Sequence, residues 1–355
     1  MKSYHLDGHK LMYHPERISE FLLNKDCFPL YMEISPVGSC NHRCIFCAYD
    51  YIGHPNRKLD TDKMIAFIDQ VAQSGLKSLL VAGEGEPLLH PDIGTFITHA
   101  KAAGIDVGMF TNGELLDGDL AAEILPSLTF IRFSFNGGNA ENYAAIHKVK
   151  PKSFNRVLDN IRNAAEMKRR EGLSVDIGAQ FVLLPENVRH LSEAVSALRD
   201  AGVEYLAAKP FIQLNRLQSY QMQERMQASE MKEIFEKAET AGGQELKVVV
   251  RQKLFEAYGR RTYSRCYGTS FISVLNSAGD IATCLPYWDK AAFVFGNIYA
   301  SSFQEIWKSK NREQIKKRLE QELNVSECPP HCRAHEINEY LFELKHPSLK
   351  HINFI

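Results

Sequence analysis

Between residues 30 and 211 the chain alternates short β-rich runs with segments of helical period, and that alternation restricts the fold more than any other feature. The β-rich runs fall at 30–35, 78–82, 106–111, 128–136, 173–182 and 205–211. Between them, Met64, Ile65, Ile68, Val71 and Ala72 share one helical face, as do Leu191, Ala194, Val195 and Leu198. Gly75, Gly104 and Gly202 stand where such helices end, positions that favour a left-handed closing residue. Strands that alternate with helices build a parallel sheet of right-handed βαβ units. Six repeats fall short of a closed eight-stranded barrel and suit a doubly wound sheet or an open, partial barrel. In either case the ligand site belongs at the carboxyl ends of the strands.

Past residue 211 the pattern changes. Residues 212–262 read as a polar linker with one helix over 229–241. From Arg265 short β-like runs at 270–276 and 280–285 flank a Ser277-Ala278-Gly279 turn, and Ser302 with Glu305 carries a capping-box signature for a further helix. This reads as a second, small α+β module. The 355 residues are 45% apolar and 24% charged, enough to bury a core without disulfides. A net charge of −1 argues against a nucleic-acid partner. No run approaches the ~18 apolar residues of a membrane helix, and the first twenty residues lack a signal-peptide core. The expectation is a cytoplasmic protein without a membrane partner. Its thiols would stay reduced there, so clustered cysteines suggest metal binding or catalysis.

Seven of the eight cysteines are clustered: Cys40, Cys44 and Cys47 directly after the first strand, and Cys266, Cys284, Cys328 and Cys332 in the second module. Three close thiolates can hold three corners of a 4Fe-4S cluster and leave one iron open, whereas a structural zinc prefers four protein ligands. The C-x3-C-x2-C run, with Phe46 before its last cysteine, resembles the radical S-adenosylmethionine (SAM) family. The resemblance implies a partial (β/α)6 barrel over residues 30–215. It also implies a cluster whose open iron is chelated by SAM, and reductive cleavage of SAM to a 5′-deoxyadenosyl radical. Phe46 would then lie near the adenine.

Three further segments match that family. Gly83-Glu84-Gly85-Glu86-Pro87 is similar to its GGEP motif, with Glu84 where a glycine is usual; Gly83, Gly85 and Glu86 would hold the SAM amino group. Thr111-Asn112-Gly113 closes the third strand, and Arg132 to Gly138 resembles the segment that contacts SAM, with Ser134 and Asn136 as the expected contacts. Gln180 and Lys209, on strands five and six, are expected to face SAM or substrate. Tyr49, Asp50, His54 and Arg57, just after the cluster loop, are candidates for substrate contact.

The second group of four thiols suits a zinc site or a fully ligated iron–sulfur cluster. With the text around Phe295-Gly296-Asn297-Ile298 and Ser302 to Trp307, it resembles the Twitch module, a short relative of SPASM holding an auxiliary 4Fe-4S cluster. His331 or His335 are alternatives to Cys332 as fourth ligand. The expected domains are an N-terminal extension (1–29), the radical SAM core (30–215), a linker (216–261), the Twitch domain (262–335) and a tail (336–355). Members of this build include an aminocyclitol dehydrogenase, so the resemblance implies oxidation of a hydroxyl on a small sugar, nucleotide sugar or aminocyclitol. The auxiliary cluster would accept the electron, and a flavodoxin or ferredoxin would be the reductant. Epimerisation, with Cys27 as hydrogen donor, and peptide modification are the competing chemistries. A non-catalytic iron–sulfur or zinc scaffold is the competing class.

Overall fold

The structure, a computed structural model, describes residues 8–213, 220–222, 226, 228–256, 259–330 and 332–354. Ten strands form one continuous sheet: β1 (Tyr31–Ile34), β2 (Ser78–Val81), β3 (Asp106–Thr111), β4 (Phe130–Ser134), β5 (Asp176–Leu183), β6 (Tyr205–Pro210), β7 (Lys247–Val250), β8 (Ile272–Leu275), β9 (Asp280–Ala282) and β10 (Val294–Asn297). Their order is β10-β9-β8-β1-β2-β3-β4-β5-β6-β7. Strands β1 to β7 run parallel in chain order, and helices such as Thr61–Gln73 and Leu191–Asp200 make the crossovers. Their apolar stripes, Met64, Phe67, Ile68 and Val71 in the first and Leu191, Ala194, Val195 and Leu198 in the second, are buried against the sheet. Gly75, Gly104 and Gly202 follow their helices with φ of 83°, 82° and 90°.

The six expected parallel strands are all present, and the sheet extends beyond them at both edges. Within the expected linker and its helix, Lys247–Val250 pairs parallel with β6 as a seventh strand, beside the helix Lys232–Gly242. At the other edge β8 pairs parallel with β1, with Tyr31 opposite Ile272, and β9 and β10 continue antiparallel. The helix Phe303–Trp307 carries the complete capping box of Ser302 and Glu305. Described residues near both ends of the chain pack together. Leu11, Ile18 and Phe21 meet Tyr267, Phe271 and Leu341 in one buried cluster, and the helix His335–Lys345 supplies Leu341. Beyond that helix the closing residues are exposed, with Phe354 at 86%. Among the described residues no helix is long and apolar enough to cross a membrane.

Alternation along the strands divides the sheet into two faces. Ile131, Phe133, Ile177, Ala179, Phe181, Leu206 and Ala208 belong to the helix-covered core. Their neighbours Arg132, Ser134, Gln180 and Lys209 therefore line the inner face, where Ser134 pairs in register with Gln180, and Lys209 with Val182. The two groups of cysteines bracket this face. Cys40, Cys44 and Cys47 follow the carboxyl end of β1. Strand β9 runs antiparallel to β8, so Cys284, two residues beyond Ala282, lies toward the opposite end.

Candidate active site

Backbone bonds fasten the loop 40–47 to a neighbouring helix. The Arg43 and Ile45 amides donate to the carbonyls of His147 (3.1 Å) and Ile146 (2.9 Å), at the end of the helix Ala140–His147. Burial pushes all three thiols up, Cys40 to about 12, where Glu86 adds to the effect. Thiols in such a setting ionise when a cation replaces their protons, which is the chemistry of a metal-binding trio. No disulfide competes for them, since all eight cysteines are free. The donor set therefore fits an iron–sulfur cluster.

A network unseen in the sequence braces Cys44. The Asn136 amide donates to His147 Nε2 at 3.2 Å, which leaves the ring proton on Nδ1, 3.2 Å from Cys44 Sγ. His42 Nδ1 lies 3.4 Å from His147 Nδ1, and His42 Nε2 reaches Glu114 at 2.8 Å. The ligand atoms of His42, Cys44 and His147 all lie within 4.8 Å of one another. A lone histidine ending an amphipathic helix gives no sequence signal of this.

The GEGEP segment folds tightly over residues 35–39. A Cβ on Gly83 would come 2.3 Å from the Ser35 Cβ, and one on Gly85 would come 1.9 Å from the Ser39 carbonyl oxygen, so neither position tolerates a side chain. Glu86 accepts from Thr111 Oγ1 (2.6 Å), the Asn112 amide (2.7 Å) and the Leu88 amide (3.1 Å), which joins the second and third motifs. Burial outweighs these donors and raises its carboxyl to about 7. Glu84 has a different role from Glu86. It is buried, faces Arg57 Nη2 at 3.3 Å and accepts a short bond from Ser277 Oγ, which also receives Arg57 Nε at 2.7 Å. The departure from the glycine-rich motif thus ties the post-cluster loop to the β8–β9 turn.

The other expected residues sort into three places. Ser134, Gln180 and Lys209 line the inner face. Phe46 packs beside Ile146, Val182 and Phe211, with its ring 6.3 Å from His147. Asn136 is buried, and its side-chain oxygen accepts from the Val182 amide at 2.7 Å. Tyr49 meets Trp288, four residues past Cys284, at 5.1 Å between ring centroids. Asp50 is partly exposed, 3.7 Å from the buried ring of His54.

Cys266, Cys284, Cys328 and Cys332 form the second set, each raised first by burial. Cys284 and Cys332 also feel other thiols of the set, so Cys332 stands with the other three. His335 is engaged elsewhere, with Nδ1 3.2 Å from Tyr263 Oη; His331 lies outside the described residues. Asn338 Nδ2 donates to Cys266 Sγ at 3.7 Å. Cys27 is 1% exposed, in the cluster with Leu30 and Phe271 at the amino end of β1, against which Cys332 also packs.

Comparison with known proteins agrees with this geometry. The chain is 25% identical to the AdoMet-dependent heme synthase of Methanosarcina barkeri over 317 residues, 82% of this chain and 85% of that protein. It is 27% identical over 190 residues to the dTDP-4-amino-4,6-dideoxy-D-glucose ammonia-lyase of Streptomyces venezuelae, covering 51% of this chain and 39% of the lyase. In fold it matches SuiB of Streptococcus suis, solved bound to S-adenosylmethionine, with a TM-score of 0.65 at 16% identity over 84% of this chain and 70% of that one. Residues 34–203 match the Radical SAM superfamily and residues 266–333 the SPASM iron-sulfur cluster-binding domain. With a sheet that delivers three thiols to one end of its inner face and four toward the other, this chain belongs to the radical SAM superfamily and carries a SPASM domain.

Proposed function

We propose that this radical SAM enzyme oxidises a hydroxyl of a small, polar substrate to a ketone on the inner face of the sheet. The observation that carries the reading is the placement of the second cysteine set beside that face. Arg333, next to Cys332, pairs with Glu33 of β1, and Trp288, near Cys284, packs on Tyr49. Bound there, the two 4Fe-4S clusters and SAM would supply the carbon radical and the electron acceptor that such an oxidation needs. Four protein thiols leave the second cluster without an open iron, which suits electron transfer over substrate binding.

The chain's own residues would hold the substrate and manage its proton. Phe46, Gly83, Gly85, Glu86, Ser134, Asn136 and Gln180 are the residues we assign to SAM. Lys209 and Tyr49 offer a substrate hydroxyl two polar partners, and Asp50 is the carboxylate we assign to take its proton. A flavodoxin or ferredoxin is the proposed reductant. Epimerisation is disfavoured because Cys27, the unassigned thiol, is buried at the amino end of β1. The relatives' names span a synthase and an ammonia-lyase, so they leave the reaction class to experiment.

The test is anaerobic turnover of the reconstituted enzyme with SAM and a strong reductant against a panel of sugars, nucleotide sugars, aminocyclitols and peptides. Substrate-dependent 5′-deoxyadenosine together with a product lighter by two hydrogens supports the proposal. An isomeric product, or a peptide as the one active substrate, overturns it.

A further inference from the structure

Packing and hydrogen bonds fix the ring of His147 so that one proton faces the first cysteine set. His147 ends the helix Ala140–His147 and is fully buried. Tyr143 of the same helix stacks on it, with 4.1 Å between ring centroids. Asn136 covers the Nε2 edge: its amide donates to Nε2 at 3.2 Å, and its side-chain nitrogen lies 3.3 Å from the same atom. Asn136 is itself held by β5 and the turn after it. Its side-chain oxygen accepts from the Val182 amide at 2.7 Å, and its carbonyl accepts from Asn187 Nδ2 at 3.0 Å.

A backbone amide can only donate, so Nε2 of His147 carries the lone pair and Nδ1 the hydrogen. That N–H has two acceptors within reach, Cys44 Sγ at 3.2 Å and His42 Nδ1 at 3.4 Å. His42 Nε2 stands 2.8 Å from Glu114 Oε2. A carboxylate accepts, so His42 keeps its hydrogen on Nε2 and offers a bare Nδ1 to His147. The ligand atoms of His42, Cys44 and His147 have the spacing of a metal site, but the hydrogen on Nδ1 bars His147 from ligation there. The arrangement is a chain of hydrogen bonds that ends on Cys44.

We infer that His147 is a positioning residue for the first cluster site, donating its Nδ1–H to the Cys44 thiolate and raising the midpoint potential of the cluster held there. Hydrogen bonds to ligand sulfurs are one of the levers that set such potentials. Reduction places more negative charge on the sulfur, and a facing N–H stabilises that form more than the oxidised one. Burial of the donor keeps the effect from being diluted by water. His42 Nδ1 competes for the same hydrogen, so the Glu114–His42 pair limits how much of it the sulfur receives. The inference needs Cys44 as a cluster ligand and is independent of the substrate and reaction proposed above.

The test is an anaerobic redox titration of the reconstituted holoenzyme, read by electron paramagnetic resonance. The signal that changes when SAM is added belongs to the first cluster and separates it from the second. Iron content equal to the wild type qualifies each variant. His147→Leu removes the N–H at similar volume and is expected to disfavour reduction about tenfold, a fall of about 59 mV for a one-electron couple. His147→Asn, which returns an amide N–H near the Nδ1 position, is expected to recover part of that shift. His42→Leu removes the competing acceptor and is expected to leave the potential at or above the wild-type value. An unchanged potential in His147→Leu, no recovery in His147→Asn, or a fall in His42→Leu would each overturn the inference. Should His147→Leu fail to take up the first cluster, the wild type still decides. Prepared with ring-labelled histidine, its reduced first cluster is expected to show a weak coupling to a histidine ring nitrogen. No such coupling, or one as large as that of a directly bound nitrogen, overturns the inference as well.

Discussion

The two cysteine sites obtain their thiols in opposite ways. Cys40, Cys44 and Cys47 sit within one short loop that backbone bonds hold against a neighbouring helix. Cys266, Cys284, Cys328 and Cys332 come from separate stretches between residues 266 and 332, and they meet only once those stretches are folded. At the first site the ligands belong to one loop, and backbone bonds of that loop tie it to a helix. A cluster at the second would itself tie the module together, because its binding free energy is also folding free energy.

The largest expected effect tests that difference directly. Replacing Cys266, Cys284, Cys328 and Cys332 together by Ala should lower the iron of the reconstituted protein from about eight to about four per chain. It should also open residues 262–335 to limited proteolysis. The triple variant of Cys40, Cys44 and Cys47 should lose the same amount of iron and keep its proteolytic resistance. Equal fragility of the two variants would erase the distinction.

A second measurement sharpens the account of the first site. The Glu86 carboxyl is raised from 4.5 to about 7, so its protonated form is the one the fold favours. Its contribution to stability is complete below pH 4.5 and is lost as pH rises through 7, a change of about 3 kcal/mol by linkage. Urea unfolding of the metal-free chain should show this loss relative to Glu86→Gln across that window. Parallel pH profiles of the two proteins would refute it.

Smaller effects test the joint between the sites and the second module itself. Glu84→Ala removes the buried acceptor of Ser277 and Arg57, and should cost about 1–3 kcal/mol in denaturant unfolding. Because 39% of the Arg57 side chain is exposed, solvent repays part of the loss and the lower end is expected. Amide exchange near residues 276–280 should quicken in the same variant. Ser302→Ala, which removes the cap of Phe303–Trp307, should cost about 1 kcal/mol and leave the iron content unchanged.

The strands that carry the motifs were legible because each joins a β-rich run to a turn and an amphipathic helix. Strand β7 escaped because Lys247–Val250 is four residues long, lies at the sheet edge and follows a polar stretch. Strand β10 escaped because its four residues include a glycine and an irregular register. The first cysteine group could be read from its spacing, whereas the second, spread over residues 266–332, needed the text between its cysteines. Glu84 stood out in the sequence only as an oddity, because Arg57 and Ser277, which account for it, are 27 and 193 residues away along the chain.

The pairing of β8 with β1 has a consequence for synthesis. Tyr31 finds its partner Ile272 about 240 residues later, which at 5–20 residues per second leaves the outer edge of β1 bare for roughly 10–50 s on the ribosome. During that interval β2 can protect one side of the strand, while the other presents open backbone donors and acceptors to any passing chain. The nascent protein thus waits for its own C-terminal third, and slowing translation after β7 should raise the fraction that aggregates before the sheet is sealed.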